Sequence, residues 1–339
     1  MTVPPGIDLP DLPDLPRVPL LDGPTPLQPM PRLGEALGGR AALWIKREDL
    51  GPLAFSGNKL RNLEFLLGAA LARGATAVVT SGRRWSNHCR LTAAAGGRLG
   101  LHVHVVVSGP PVPSSPNLAL IERFGGTVHQ AHTDTREERE ALVESVAAAL
   151  RDEGQTVEVL PIGGSGVAGA WGQVLAWLEA AGQARSIGFA QDVVVLPSAS
   201  GGTQAGLVVG AAIDSGASGH DAARVVGVLA ARPAAELRPA IEQLVMQLAA
   251  LAGVDAPVGP LDLDPSQLGP GYGVPTKAST EAAALLARTE GILVDPVYTA
   301  KGLAGLVALV RSGVVDGKQV VFWHGGGLPA IFEDLPGRS

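Results

Sequence analysis

The chain has 339 residues, 46% of them hydrophobic, and sets 26 basic side chains against 32 acidic ones for a net charge of −6. That apolar content can bury a core large enough for two domains, while the acidic balance, with no basic stripe to neutralise a phosphate backbone, speaks against nucleic acid as a partner. A single cysteine, Cys89, leaves no disulfide framework and no cysteine-rich zinc site, and a reducing cytoplasm fits it best.

Ten of the 27 prolines fall before residue 32, and Asp-Leu-Pro repeats three times from Asp8. An arm over residues 1–24 is therefore expected to be extended or disordered rather than helical. It has neither the basic nor the apolar region of a signal peptide, and no later stretch approaches the ~18 unbroken apolar residues of a membrane span, so a soluble protein is expected. In "FSGNKLRNLEFLLGAALARG", Leu60, Leu63, Leu67 and Leu71 recur at intervals of three and four, which predicts a helix from Lys59 with one apolar stripe. Beyond it, "TAVVT", "HVHVVV", "TVEVLPI", "DVVVLPS", "VVGVLA", "GILVDP" and "VVFWHGG" read as short strands, apolar on both faces, between helices rich in Ala and Leu. That is the pattern of a parallel sheet covered by helices, and the fold class is α/β. From Ala231 to Gly273 a helix gives way to a long connection rich in Pro and Gly, a common carrier of sites.

Three helix starts could share one ligand. Lys59 lies in a first turn, where the helix dipole makes a cation costly by ~0.3–1 kcal/mol. The same field, with burial, would lower its pKa and favour a neutral amine able to form a Schiff base. In "TSGRRWSNHCRLTAAAGG", Ser86 and Asn87 follow a strand and open a helix; both are ordinary N-cap residues and both can meet a ligand. In "LPSASGGTQAGLVVGAA", Ser200, Gly201, Gly202 and Thr203 sit between strand and helix, where glycines let a phosphate approach exposed amides. A phosphorylated aldehyde cofactor needs an amine, an anion site and a donor for its ring oxygen, and these starts supply all three. The alternative is three plain helix caps. Tyr272 in "GPGYGVPTK" and Tyr298 in "VDPVYTAKGL", the two tyrosines of the chain, lie in turns; each is a proton carrier or a ring wedged beneath a loop. His102 and His104 alternate on one strand face without a ligand pattern, so they read as surface histidines and no metal is expected.

"KREDLGPLAFSGNKLRNLEFLL", "SNHCRLTAAAGGRLGL", "PIGGSGVAGAWG", "SGGTQAGLVVG", "GYGVPT", "EGILVDPVYTAKGLAGL" and "HGGGLPAIF" stand in the order found in the pyridoxal-phosphate family that contains 1-aminocyclopropane-1-carboxylate deaminase and D-cysteine desulfhydrase. The resemblance runs from about residue 25 to residue 333. It implies fold type II, the tryptophan-synthase-β type, in which two open twisted α/β domains hold pyridoxal 5'-phosphate in the cleft between them, usually within a homodimer. The larger domain is expected over 25–60 and 168–339, the smaller over 61–167. By position, Lys59 stands where the family's Schiff-base lysine stands and Asn87 where a residue bonds the cofactor's ring oxygen. Ser200, Gly201, Gly202 and Thr203 occupy the phosphate loop. Ser86, with the amides of Asn87 and His88 after it, falls where the family meets its substrate, and Tyr272 and Tyr298 match two active-site tyrosines. The implied reaction is an α,β-elimination on a small amino acid, with Lys59 as base, that ends in a 2-oxo acid and ammonia.

The departures narrow this reading. Deaminase members carry Glu after the second tyrosine, where it can hold a proton on the pyridine nitrogen. Here Thr299 stands beside the ring, and a neutral side chain favours elimination with a good leaving group over opening of a cyclopropane. Desulfhydrase members also tend to have Ser or Thr after the histidine of the last motif, where this chain has Gly325. Trp85 replaces the Gln or similar residue before the serine, a substitution able to reshape the substrate pocket, with Arg83 and Arg84 upstream able to pair with an anionic group. Asn62 replaces a lysine often found there, removing a positive charge near the phosphate. The expected activity is that of a carbon–sulfur lyase like D-cysteine desulfhydrase, with 1-aminocyclopropane-1-carboxylate deaminase or a lyase of specialised metabolism as alternatives. An oxidoreductase would instead use Gly164, Gly166 and Gly169 as a dinucleotide fingerprint. That reading lacks an acidic residue at the end of the next strand and leaves Lys59 without a task.

Overall fold

The β-branched runs resolve into two sheets in a computed structural model that describes residues 12–112, 115–132, 135–256 and 261–335. The strands are β1 (Leu27–Pro29), β2 (Ala42–Arg47), β3 (Ala77–Arg83), β4 (His102–Ser108), β5 (Thr127–Ala131), β6 (Val157–Val159), β7 (Val193–Ser198), β8 (Arg224–Leu229), β9 (Asp262–Asp264) and β10 (Gln319–His324). The helices are α1 (Pro31–Ala36), α2 (Lys59–Ala72), α3 (Asn87–Arg98), α4 (Pro116–Arg123), α5 (Arg136–Asp152), α6 (Val167–Ile187), α7 (Gly202–Ser218), α8 (Ala234–Ala252), α9 (Lys277–Glu290) and α10 (Thr299–Arg311). One sheet runs β1-β2-β10-β7-β8-β9, parallel except for β1. The other runs β5-β4-β3-β6 and is parallel throughout. Apolar clusters lie on both faces of each sheet, which is why the central strands carry Val at successive positions instead of alternating with polar residues. In such sheets ligands bind beyond the carboxyl ends of the strands. Here the ends of β2, β3, β7 and β10 lead directly into the segments around Lys59, Ser86, Ser200 and Gly325.

Six of the seven strand expectations coincide with strands, and "GILVDP" does not. Ile292 and Val294 are buried in the core, but Pro296 has no N–H to give a ladder and the Asp295 carboxylate takes the amides of Val297, Tyr298 and Thr299. The segment becomes a turn that launches α10. His104 is not a free surface histidine either: its Nδ1 lies 3.0 Å from Nε2 of His129 on the neighbouring strand, with the rings stacked. Residues 1–11 of the proline-rich arm lie outside the described residues. From Leu12 on it is extended and docked on α2, where Gly68 leaves room for the backbone of Pro16 and Arg17 and Glu64 accepts from Arg17, Leu20 and Leu21.

The helix begins at Lys59 as the spacing predicts, but it is buried nearly all round rather than along one stripe. Burial extends to its charged residues. Arg61 donates to Glu48 at 2.7 Å and to Glu179 at 2.8 Å, and Lys46 donates to Glu179 at 2.6 Å. The Arg61 fork thus joins the β2 end, α2 and α6. Gly172 completes the contact, because a Cβ there would collide with the Arg61 carbonyl oxygen.

Removing one member of a buried ion network strands the others without a partner, at ~3–5 kcal/mol. Arg61→Ala is expected to lower unfolding stability by that amount in urea titration, far more than Arg136→Ala at the exposed Arg136–Glu140 pair. The histidine pair gives a pH signature. Burial is the first cause that lowers the pKa of both His104 and His129, so the unfolded chain takes up protons first as pH falls below ~6.5. Thermal scans should show stability falling below that point, and less steeply in His129→Gln.

Candidate active site

Lys59 is the first residue of α2, and its Nζ lies 3.4 Å from the Oγ of Ser200. Its helix has no acidic residue in the first turn and no side-chain cap. The Asn58 side chain, which would usually cap it, donates instead to Thr203 Oγ1 at 2.8 Å and so ties α2 to α7. Burial lowers the Lys59 pKa to about 8, and among the described residues no carboxylate lies within salt-bridge distance to restore it. A fraction of the amine is therefore neutral at neutral pH, as Schiff-base chemistry requires.

The candidate anion site is built by close packing of two glycine turns. Gly201 sits at φ 89°, in the left-handed region, at the N-cap of α7. The amides of the first turn point away from the helix and have no intrahelical acceptor. Against them lies the turn Ile162–Gly164, where Ser165 Oγ donates to Ser200 Oγ at 2.6 Å and accepts from Gly202 N at 3.3 Å. A Cβ on Gly163 would come within 2.7 Å of Ser200 Oγ, and one on Gly202 within 2.9 Å of Ser165 Oγ. Gly163 of "PIGGSG" thus serves this contact. Gly169 faces the Gly164 carbonyl, which a Cβ would overlap, and the dinucleotide reading has no place. Asn62 is also reassigned: it is fully buried, donates to Gly164 O at 3.0 Å and accepts from Gln173 at 2.6 Å, so it holds the glycine turn.

Ser86 caps α3 by accepting from Cys89 N at 3.3 Å, and Gly82 is required there because a Cβ would meet Ser86 Oγ at 2.8 Å. Asn87 and His88 follow in the first turn of α3, both buried. The His88 Nε2 pairs with Thr80 Oγ1 at 2.9 Å, while its Nδ1 is a buried atom without a partner beside Gly164. Burial, then the Lys59 charge, lower its pKa to about 3, so the imidazole is neutral. Burial pushes the Cys89 thiol up to about 12 and leaves it inert.

Tyr272 and Tyr298 come together although 26 residues separate them, and their hydroxyls are hydrogen-bonded to each other. Burial raises both phenol pKa values, that of Tyr298 well above its ordinary one. Trp85 packs edge-on against Tyr272 with ring centroids 5.5 Å apart, and a Cβ on Gly273 would strike the indole at 2.5 Å. Trp85 therefore walls the tyrosine pair and does not face solvent. Arg83 lies over the Tyr272 ring at 6.0 Å; Arg84 lies over Trp85 at 5.0 Å and donates to the Asp334 carbonyl. Thr299 Oγ1 donates to Asp295 Oδ2 at 2.5 Å, which commits its proton to the turn. Lys301 fixes the loop of Tyr272 to the helix after Tyr298 by donating to Leu268 O at 2.9 Å.

These groups fit a phosphorylated aldehyde: a partly neutral amine adjoins an anion site, and a buried carboxamide and imidazole stand at the next helix start. A family model for pyridoxal-phosphate dependent enzymes matches residues 18–326. The chain belongs to this family. It is 37% identical over 327 residues to the D-cysteine desulfhydrase of Salmonella choleraesuis, covering 94% of this chain and 95% of that one. The D-cysteine desulfhydrase of Salmonella newport matches at 37% over 326 residues, with 94% and 95% covered. The crystal structure of an ACC deaminase homologue superposes with a TM-score of 0.86 at 34% identity and covers 94% of each chain. Maize serine racemase, at 18% identity and a TM-score of 0.61 over 89% of this chain and 88% of that one, shares the fold. The protein is a fold type II, pyridoxal-phosphate-dependent enzyme of the lyase and deaminase type, acting on a small amino-acid-like substrate. Among the described residues there is no helix long and apolar enough to cross a membrane and no cluster of three or more His, Cys, Asp or Glu side chains able to hold a metal.

With Lys59 as the Schiff-base residue, as the resemblance implies, its lowered pKa makes cofactor capture pH-dependent. Capture of pyridoxal phosphate by the apoprotein, followed by the visible absorption band, should accelerate as pH rises and level off above about 8. An unperturbed lysine would continue to gain up to ~10.4. The band should be absent in Lys59→Ala.

Proposed function

We propose that this enzyme is a D-cysteine desulfhydrase, releasing sulfide, pyruvate and ammonia, and that it works as a cytoplasmic homodimer without nucleic-acid partners. The observation that carries the substrate choice is Thr299, where a deaminase places Glu: its proton is held by Asp295 at 2.5 Å, so no acidic side chain stands free at that position. Full-length similarity to the two Salmonella desulfhydrases supports the same choice.

Pyridoxal phosphate, when bound, draws electrons from the bonds at the substrate Cα. The chain supplies the rest. In our reading Lys59 holds the cofactor and takes the Cα proton; Ser200, Gly201, Gly202 and Thr203 bind its phosphate through the first amides of α7. Asn87 donates to the ring oxygen, and Thr299 lies near the ring without changing its charge. Ser86 and the amides of Asn87 and His88 bind the substrate carboxylate, and neutral His88 adds no positive charge there. Tyr272 and Tyr298, neutral and joined, are placed to give a proton to departing sulfur, with Trp85 as the wall that excludes water. The space around Gly325 is compatible with this activity. Its φ is not left-handed and a Cβ would meet Asn58 at an ordinary 3.4 Å, so the missing hydroxyl of the desulfhydrase pattern reflects no steric barrier.

Purified enzyme assayed on D-cysteine, L-cysteine and 1-aminocyclopropane-1-carboxylate should yield sulfide and 2-oxo acid from D-cysteine. Oxo acid from the cyclopropane alone would overturn the assignment. Tyr298→Phe should lower kcat by ~10²–10⁴ with a much smaller change in KM, and Gly325→Ser should fold and retain sulfide release.

A further inference from the structure

Arg90, one turn into α3, is fully buried, and its four hydrogen-bond acceptors are all uncharged. It donates to Asn87 Oδ1 at 2.7 Å, to Asn117 Oδ1 at 2.8 Å, to Ala54 O at 3.2 Å and to Ser56 O at 3.2 Å. A guanidinium kept from water with no carboxylate among its hydrogen-bond partners, and only the longer-range charge of Asp295 to offset its burial, is costly, and such a group persists where its position has a use. Two uses are visible. Ala54, Phe55 and Ser56 all lie at positive φ, 47°, 61° and 48°, a left-handed turn costing ~1–2 kcal/mol per residue. Arg90 grips that turn at both ends, three residues before Lys59. The second use concerns Asn87. Arginine can only donate, so the carboxamide atom facing it must be the oxygen, and the Nδ2 amide is turned the other way.

We propose that Arg90 is a positioning residue for the cofactor: it fixes Asn87 with the Nδ2 amide outward toward the ring oxygen and places a positive charge behind that donor. The inference rests on the reading of Asn87 as the ring-oxygen donor. The arrangement reaches the far end of the chain. Asn117, the second acceptor, is held by Glu333 through its backbone N at 3.1 Å and its side-chain Nδ2 at 3.4 Å. Ser115 donates to the same carboxylate oxygen at 2.6 Å. Glu333 is itself buried, so the C-terminal segment, α4 and α3 form one hydrogen-bonded path ending at Asn87.

The test is a double-mutant cycle on the dissociation constant of pyridoxal phosphate, titrated by its visible band, with the apoprotein thermal midpoint recorded in parallel. Asn87→Ala and Arg90→Lys should each weaken cofactor binding about tenfold and shift the band position, and Arg90→Lys should have no further effect in the Asn87→Ala background. A packing role for Arg90 alone would weaken binding equally in both backgrounds, and that result overturns the proposal. An unchanged dissociation constant in Asn87→Ala would show that Asn87 does not meet the cofactor, which removes both the reading and the inference. A changed constant in Asn87→Ala with none in Arg90→Lys removes the inference and leaves the reading intact. If Arg90→Lys does not fold, Asn117→Ala keeps the cation and reads the same coupling: a loss of about threefold that vanishes without the Asn87 side chain supports the proposal, and a loss that persists overturns it.

Discussion

The place of Lys59 is set two residues further along its own helix. Arg61 is locked by Glu48 at the end of β2 and by Glu179 on α6, and Gly172 lets α6 pass against its backbone. A helix start held only by packing can fray or slide. One fixed by a multidentate buried ion network cannot move without leaving charges unpaired. The same anchored helix start carries the 3.4 Å contact between Lys59 and Ser200, the tie from Asn58 to Thr203, and the seat of the glycine turn under Asn62. The lysine helix can then stay short of favourable end interactions, because tertiary contacts hold it in their place.

The site is a junction of backbone turns. Segments leaving β7 and β6 meet through Ser165 and Ser200, and segments leaving β2 and β10 meet through Gly57 and Gly326. Such contacts need residues without Cβ atoms. A Cβ on Gly326 would come within 2.7 Å of Gly57 Cα, and one on Gly327 within 2.5 Å of the Asp295 carboxylate. A glycine-rich motif is therefore ambiguous until its neighbour is known. Gly164, Gly166 and Gly169 match the spacing of a dinucleotide turn, yet their neighbours are Asn62 and Leu66 of α2, His88 of α3 and their own turn.

Residues whose identity is unusual for their local position were legible in the sequence. Lys59 at the positive end of a helix, the glycines after Ser200, and Ser86 before an apolar helix each conflict with or complete a local rule, and the chemistry proposed for them follows from it. Residues whose meaning depends on distant partners were not. Arg90 is an unremarkable cation in an alanine-rich helix until Asn87, Asn117 and the left-handed turn surround it. Asp295 reads as the end of a strand because its neighbours are apolar and buried, and only its side-chain bonds to three following amides turn the segment into a helix start. Trp85 was visible as a departure from a family pattern, but its orientation is fixed by Gly273 and Tyr272, far along the chain.

The contact between the two phenols has a consequence best seen by counting hydrogens. Tyr272 and Tyr298 own one hydroxyl hydrogen each, and their mutual bond uses one of the two. The ring that donates has none left to offer, while the ring that accepts keeps its hydrogen. A pair of identical side chains is thereby made inequivalent by a single bond, and only one of them can present a proton outward at any moment. Exchange of donor and acceptor reverses their duties without moving either ring.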